Sequence, residues 1–160
     1  MTTTAHRQGA DHLVDVPVAE LTTLMIDWLT ARSEGVSAEF DGNYIRHCPV
    51  PNEYEGIYSP STNPLDGHPL LEREKIQLRY IDCPGHSWNG LWLAQDCRFR
   101  STSKSVEWSA YGVPYPELAL GFLTGSTMLI AGLRFIIAKT CVGKSKTPMV
   151  RVPSELIGAA

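Results

Sequence analysis

Leu118–Gly143 reads LALGFLTGSTMLIAGLRFIIAKTCVG, the most apolar part of the chain. Its second half predicts one helix over Thr127–Cys141. Ser126 or Thr127 can cap the start, because a side-chain oxygen there accepts from amide groups that lack helical partners. Lys139 suits the negative end of the helix dipole, and Gly143 offers a left-handed stop. Met128, Leu129, Ile130, Leu133, Phe135, Ile136 and Ile137 occupy nearly every face, and Arg134 is the one charge among them. A helix apolar all round is buried centrally, lies at a subunit interface or sits in a membrane. The rest of the sequence reads as what covers it.

Leu118–Ala138 is long enough to span a bilayer. Thr124-Gly125-Ser126-Thr127 at its centre argues for a turn and a helix cap instead, and Arg134 lies too deep to reach a membrane interface cheaply. A core helix is the expectation, with no membrane partner.

Composition narrows the classes. The chain has 160 residues, 43% apolar and 19% charged, the balance of one globular domain with a real core. A net charge of −3 gives no electrostatic case for nucleic acid. The opening MTTTAHRQGADH has no apolar run and predicts no secretory signal. Four cysteines without such a signal point to reduced thiols in a cytoplasm. Residues 1–11 are expected to form a loose tail, and residues 12–160 the domain.

Outward from the central helix, Leu13–Val18 suits a short edge strand. Thr22 looks like the cap of a helix over Thr23–Ser33 that ends at Gly35. Leu24, Met25, Trp28 and Leu29 form its apolar stripe, while Asp27, Thr30 and Arg32 are expected to face water. Asp41-Gly42-Asn43 turns into a strand at Tyr44-Ile45. Pro49–Pro69 carries five prolines and reads as an ordered loop, followed by a helical turn at Leu70–Glu74. Ile76–Ile81 alternates as a strand and Leu91–Ala94 as another. Arg98–Lys104 reads as a basic turn, Glu107–Tyr115 as a strand edge or rim, and Lys144–Thr147 as a solvated loop before Val150–Val152. The sum is an α+β fold, a small mostly antiparallel sheet with two main helices. The all-round apolar helix in so small a domain also predicts a homo-oligomer.

Several motifs invite chemistry. Asp82-Cys83-Pro84-Gly85-His86 matches the DxPGH sequence of translation GTPases, and Ala138–Ser145 fits a relaxed phosphate-loop pattern. A phosphate loop needs a strand before it and a helix after it. Here it follows a helix and precedes Pro148, in the reverse of the GTPase order, so coincidence is preferred. Cys83 and His86 have a metal-ligand spacing that His47, Cys48 and Cys97 could complete. The second paired cluster of a structural zinc site is missing, which favours a Pro-Gly turn with free thiols. No GxSxG nucleophile elbow occurs, and Glu72 and Glu74 lie in a solvated charge run. Ser59, Ser61, Thr62 and Asn63 make a hydroxyl-rich loop that reads either as a ligand loop or as a turn satisfying its own backbone. Trp88, Trp92, Trp108, Tyr111 and Tyr115 suit either an aromatic pocket or rim packing.

Four stretches carry a family resemblance: Val14–Gly35 with IDWLTARSEG, YSPSTNPLDGHPLLEREKI over Tyr58–Ile76, GSTMLIAGLRFIIAKT over Gly125–Thr140, and VPSEL over Val152–Leu156. In this order, and over about half of the chain, the sequence resembles the phage NinX-like proteins, small phage-encoded proteins of undefined function. Pro64-Leu65 stands where the family tends to place tryptophan and alanine, and Thr127-Met128 where threonine-proline is usual. Asp82–Tyr115 has no clear counterpart. The resemblance implies a phage or prophage origin and the cytoplasm of a bacterial host; it transfers no catalytic residue.

Two functions follow as expectations. One is a non-catalytic accessory protein that binds or sequesters a host factor or a small anionic, nucleotide-like ligand, as in host takeover or counter-defence. Ser59, Ser61, Thr62, Asn63, Trp92, Ser126 and Thr127 are its candidate ligand residues, and no cofactor is implied. The alternative is a small metal-assisted enzyme using Cys83 and His86.

Overall fold

The computed structural model describes residues 12–47, 56–96, 122–141 and 148–159. Strand β1 (Leu13–Pro17) leads through a 3-10 turn, Val18–Glu20, into helix α1 (Thr23–Ser33). Thr22 caps α1 as its residue type predicts, accepting from the Met25 N–H at 3.4 Å. Three short strands follow, β2 (Ala38–Phe40), β3 (Ile45–His47) and β4 (Gly56–Ile57). Helix α2 (Pro64–Arg73) precedes β5 (Ile76–Tyr80), β6 (Trp92–Asp96) and β7 (Leu123–Gly125). Helix α3 (Met128–Cys141), strand β8 (Met149–Pro153) and a 3-10 turn, Ser154–Leu156, complete the order.

The fold is α+β, as expected, but the strands among the described residues divide into three small antiparallel sheets rather than one: β1-β8, β2-β3-β4 and β5-β6-β7. Alternation in sequence locates strands without saying which edges pair. The first and last strands close on each other, with Val14 opposite Val152 and Val16 opposite Val150.

A second correction concerns Pro49–Pro69, whose end is helical. Asn63 caps α2, accepting from the Leu65 N–H at 3.1 Å, and Pro64 occupies the first turn, where a missing N–H costs nothing. The turn expected at Leu70–Glu74 is the end of this helix. A third concerns α1, where Asp27 and Thr30 are 3% and 2% exposed instead of facing water. Thr30 satisfies its hydroxyl on the Ile26 carbonyl at 2.7 Å, and Asp27 is held by another segment.

Helix α3 is the core. Ala131, Leu133, Phe135, Ile137 and Ala138 are almost fully buried, and α3 packs against α1, α2, the β5-β6-β7 sheet and β8. This explains its apolar circumference: elements of the same chain cover it on several sides. The sequence-based reason for a second subunit is thereby met within one chain. Among the described residues no helix is long and apolar enough to cross a membrane.

The helices share a direction. Ser61, just before α2, touches Asp27 near the start of α1, while Glu34 at the end of α1 makes a two-pronged pair with Arg73 at the end of α2, 2.6 Å on each prong. Glu74 after α2 then meets Lys139 in the last turn of α3 at 3.4 Å. Side-by-side helices of one sense repel through their dipoles, and these end-to-end ion pairs place cations where the dipoles are negative. The hydrogen-bonded Arg73 holds the Glu34 carboxyl below its usual range.

Candidate functional site

The Ser59–Asn63 loop is built around its own backbone. The Ser59 carbonyl accepts from the Thr62 and Asn63 N–H groups at 3.0 and 2.7 Å, and from the Thr62 hydroxyl at 3.4 Å. Asn63 donates through Nδ2 to Asp66 Oδ2 at 3.0 Å, and the Ser59 N–H reaches the same oxygen at 3.4 Å. The Ser61 N–H donates to Asp27 Oδ1 at 2.8 Å, and its hydroxyl donates to the Thr23 carbonyl at 3.4 Å. Ser61 is 1% exposed, so its side chain serves the loop, whereas Thr62 faces solvent.

The second group of candidate residues gathers at the edge of the β5-β6-β7 sheet. Trp92 stands directly opposite Gly125 in the β6-β7 pair, so the exposed Ser126 and Thr127 follow at once from that position. Thr127 caps α3, accepting from the Ile130 N–H at 3.2 Å. Tyr80, 51% exposed and opposite Trp92 on the other side, lies with its ring 5.5 Å from the indole. Gly125 is required here: a Cβ would fall 2.5 Å from the Ala131 nitrogen.

The two groups are neighbours through the first turns of α2 and α3. A Cβ on Gly67 would lie 2.3 Å from the Pro60 carbonyl oxygen and 2.8 Å from Leu129 Cδ2, so loop, α2 and α3 meet there. Arg134 ties the neighbouring pieces, donating to the Thr124 carbonyl at 3.0 Å and to the Leu21 carbonyl at 2.7 Å. Among the described residues its buried Nε has no acceptor, and desolvation pulls its pKa down. Sequence reasoning counted Arg134 only as a charge on an apolar helix; its partners lie in distant segments and leave no local signal. Tyr80 was likewise legible only as part of a strand.

Cys83 and His86 sit in the loop after β5. The His86 N–H donates to the Cys83 carbonyl at 3.0 Å around Pro84-Gly85, and Gly85 has φ 85°. That is the tight turn the residues suggest. The Cys83 thiol is exposed; the His86 ring lies tilted against that of Trp88, 5.0 Å between centres, and accepts the Trp88 backbone N–H on Nδ1 at 3.2 Å. Trp88 in turn packs edge-on against Phe122. Among the described residues no three His, Cys, Asp or Glu side chains come together as a metal site. Of the other ligands considered, His47 ends β3, whereas Cys48 and Cys97 lie outside the described residues, as do Trp108, Tyr111 and Tyr115. The phosphate-loop pattern begins inside α3, with Ala138 to Cys141 helical, so its first residues form no loop.

Two comparisons bear on identity. A family model described as Bacteriophage P22, NinX matches residues 17–140, more than three quarters of the 160 residues. No curated protein matches the chain.

Proposed function

The chain belongs to the bacteriophage NinX family, and from that premise we propose that it is a non-catalytic accessory protein that binds a host protein or a small anionic, nucleotide-like ligand in the host cytoplasm. The setting would be host takeover or counter-defence. The observation that carries this reading is the placement of Trp92 beside Tyr80 and across from Gly125, the residue that leads into Ser126 and Thr127. Aromatic faces stack on bases, and hydroxyls with free amides at a helix start favour anions. Thr62 on the neighbouring loop adds an exposed hydroxyl.

Titration calorimetry with nucleoside mono- and triphosphates tests the small-ligand arm, and capture from host lysate tests the protein arm. Base–aromatic stacking contributes about 1–3 kcal/mol. Trp92→Ala should therefore weaken nucleotide binding about tenfold or more. Ser126→Glu, at an exposed position, should do so by repulsion without touching the core. Both variants should lose any captured partner. If folded Trp92→Ala, Ser126→Glu and Thr62→Ala proteins all keep full biological effect, the reading is wrong.

A further inference from the structure

Asp27 is a buried acid that the binding role leaves unused. It is 3% exposed on α1 and accepts the Ser61 N–H, from a segment 34 positions away, at 2.8 Å. Among the described residues no cation pairs with it. The second tie between loop and helix, Ser61 hydroxyl to Thr23 carbonyl, is long at 3.4 Å. Beside the packing of the buried Pro60, Asp27 thus accepts the short hydrogen bond between α1 and the loop that begins α2.

We propose that Asp27 is a proton-operated clasp: when neutral it keeps the 59–63 loop closed on α1, and when ionised it lets the loop and the first turn of α2 open towards solvent. The inference stands whether or not that loop touches a ligand.

The surroundings fix the direction. Asp66, in the first turn of α2, faces Asp27 with like charge, and Tyr58 stands beside both, its phenol pushed up to about 12 mainly by burial and then by Glu34, Asp66 and Asp27. The other elements packed on α1 carry Arg134 and Lys139 on α3, Glu39 on β2, and Arg46 and His47 on β3. Arg134 donates to the Leu21 and Thr124 carbonyls, Lys139 to Glu74, and Arg46 to Asp41. Arg73 is engaged by Glu34, and Arg32 lies over the Trp28 ring. Burial is the largest influence on Asp27 and pushes its carboxyl from 3.8 to about 6, against the pull of the Ser61 hydrogen bonds and with a further push from Asp66.

A carboxyl with a raised pKa holds its proton more tightly when buried than when exposed. Opening is therefore hardest below about pH 4, grows easier as the pH rises, and levels off above about pH 6. Near neutral pH the ionised form prevails and the loop is at its loosest.

Amide hydrogen exchange on the full chain, read by NMR, tests this. Corrected for intrinsic rates, the Ser61 amide should exchange about tenfold faster at pH 7 than at pH 5. It should exchange faster than the Phe135 amide at both, which marks the opening as local. Asp27→Asn keeps an oxygen for the Ser61 N–H and should flatten the pH dependence. Equal rates at Ser61 and Phe135, or a Ser61 rate indifferent to pH, overturn the clasp. Should Asp27→Asn fail to fold, the Asp27 carboxyl carbon is titrated in the unsubstituted protein. A midpoint well above 3.8 supports the clasp, and one at or below 3.8 overturns it.

Discussion

Phe135→Ala should lower the stability of the chain by about 3–5 kcal/mol. Phe135 is 0% exposed and, among the described residues, the largest fully buried side chain, on the helix against which α1, α2 and the β5-β6-β7 sheet pack. The substitution removes its transfer free energy and leaves a cavity at a helix on which α1, α2 and the β5-β6-β7 sheet all pack. A domain of this size has about 5–15 kcal/mol in total, so the loss takes a large share of it. Urea unfolding followed by circular dichroism would show the midpoint fall with little change in slope. Phe135→Leu, which leaves most of the volume filled, should cost much less. Equal effects of the two variants would mean that α3 is not closely packed at this position.

The central helix was readable because its signal is local. A run of apolar residues with a threonine at its start and a lysine near its end specifies a buried helix without reference to anything else. Thr22 and the strand Ile76–Tyr80 were legible for the same reason. Helix α2 was not, because proline counts as a breaker while its position decides: Pro64 fills the first turn, and Pro69 is exposed on the helix surface. Asp27 was misplaced because a polar residue on a helix defaults to the wet face, and its partner lies 34 positions away. The candidate site shows the same division. Trp92 and Ser126-Thr127 were named together from residue type, and the register that sets Trp92 opposite Gly125 brings them together. Ser61 was named for its hydroxyl, which the structure turns inward; what it gives the loop is chiefly its backbone N–H.

Gly67→Ala tests how far the loop and two helix starts depend on one close approach. In an exposed helix interior, glycine to alanine is stabilising by about 0.8–1 kcal/mol, since alanine loses less backbone freedom on folding. At position 67 the sign should reverse. The added methyl would fall 2.3 Å from the Pro60 carbonyl oxygen and 2.8 Å from Leu129 Cδ2. Leu129 can rotate away, but the carbonyl belongs to a backbone fixed on both sides, by the Tyr58–Ile45 bond before it and the Ser61–Asp27 bond after it. Relief therefore requires α2 to back away from the loop. Overpacking of this kind costs about 1–3 kcal/mol, enough to outweigh the helix-propensity gain. The expected result is a lower unfolding midpoint together with faster exchange at the Ser61 amide, because the displaced loop loosens its bond to Asp27. A control separates crowding from the loss of glycine itself. Gly35→Ala has nothing within 4 Å of the new methyl but a φ of +68°, so it should cost about 1 kcal/mol through backbone strain alone and leave Ser61 exchange unchanged. A stabilised Gly67→Ala protein would show that α2 and the 59–63 loop do not meet as closely as this contact requires.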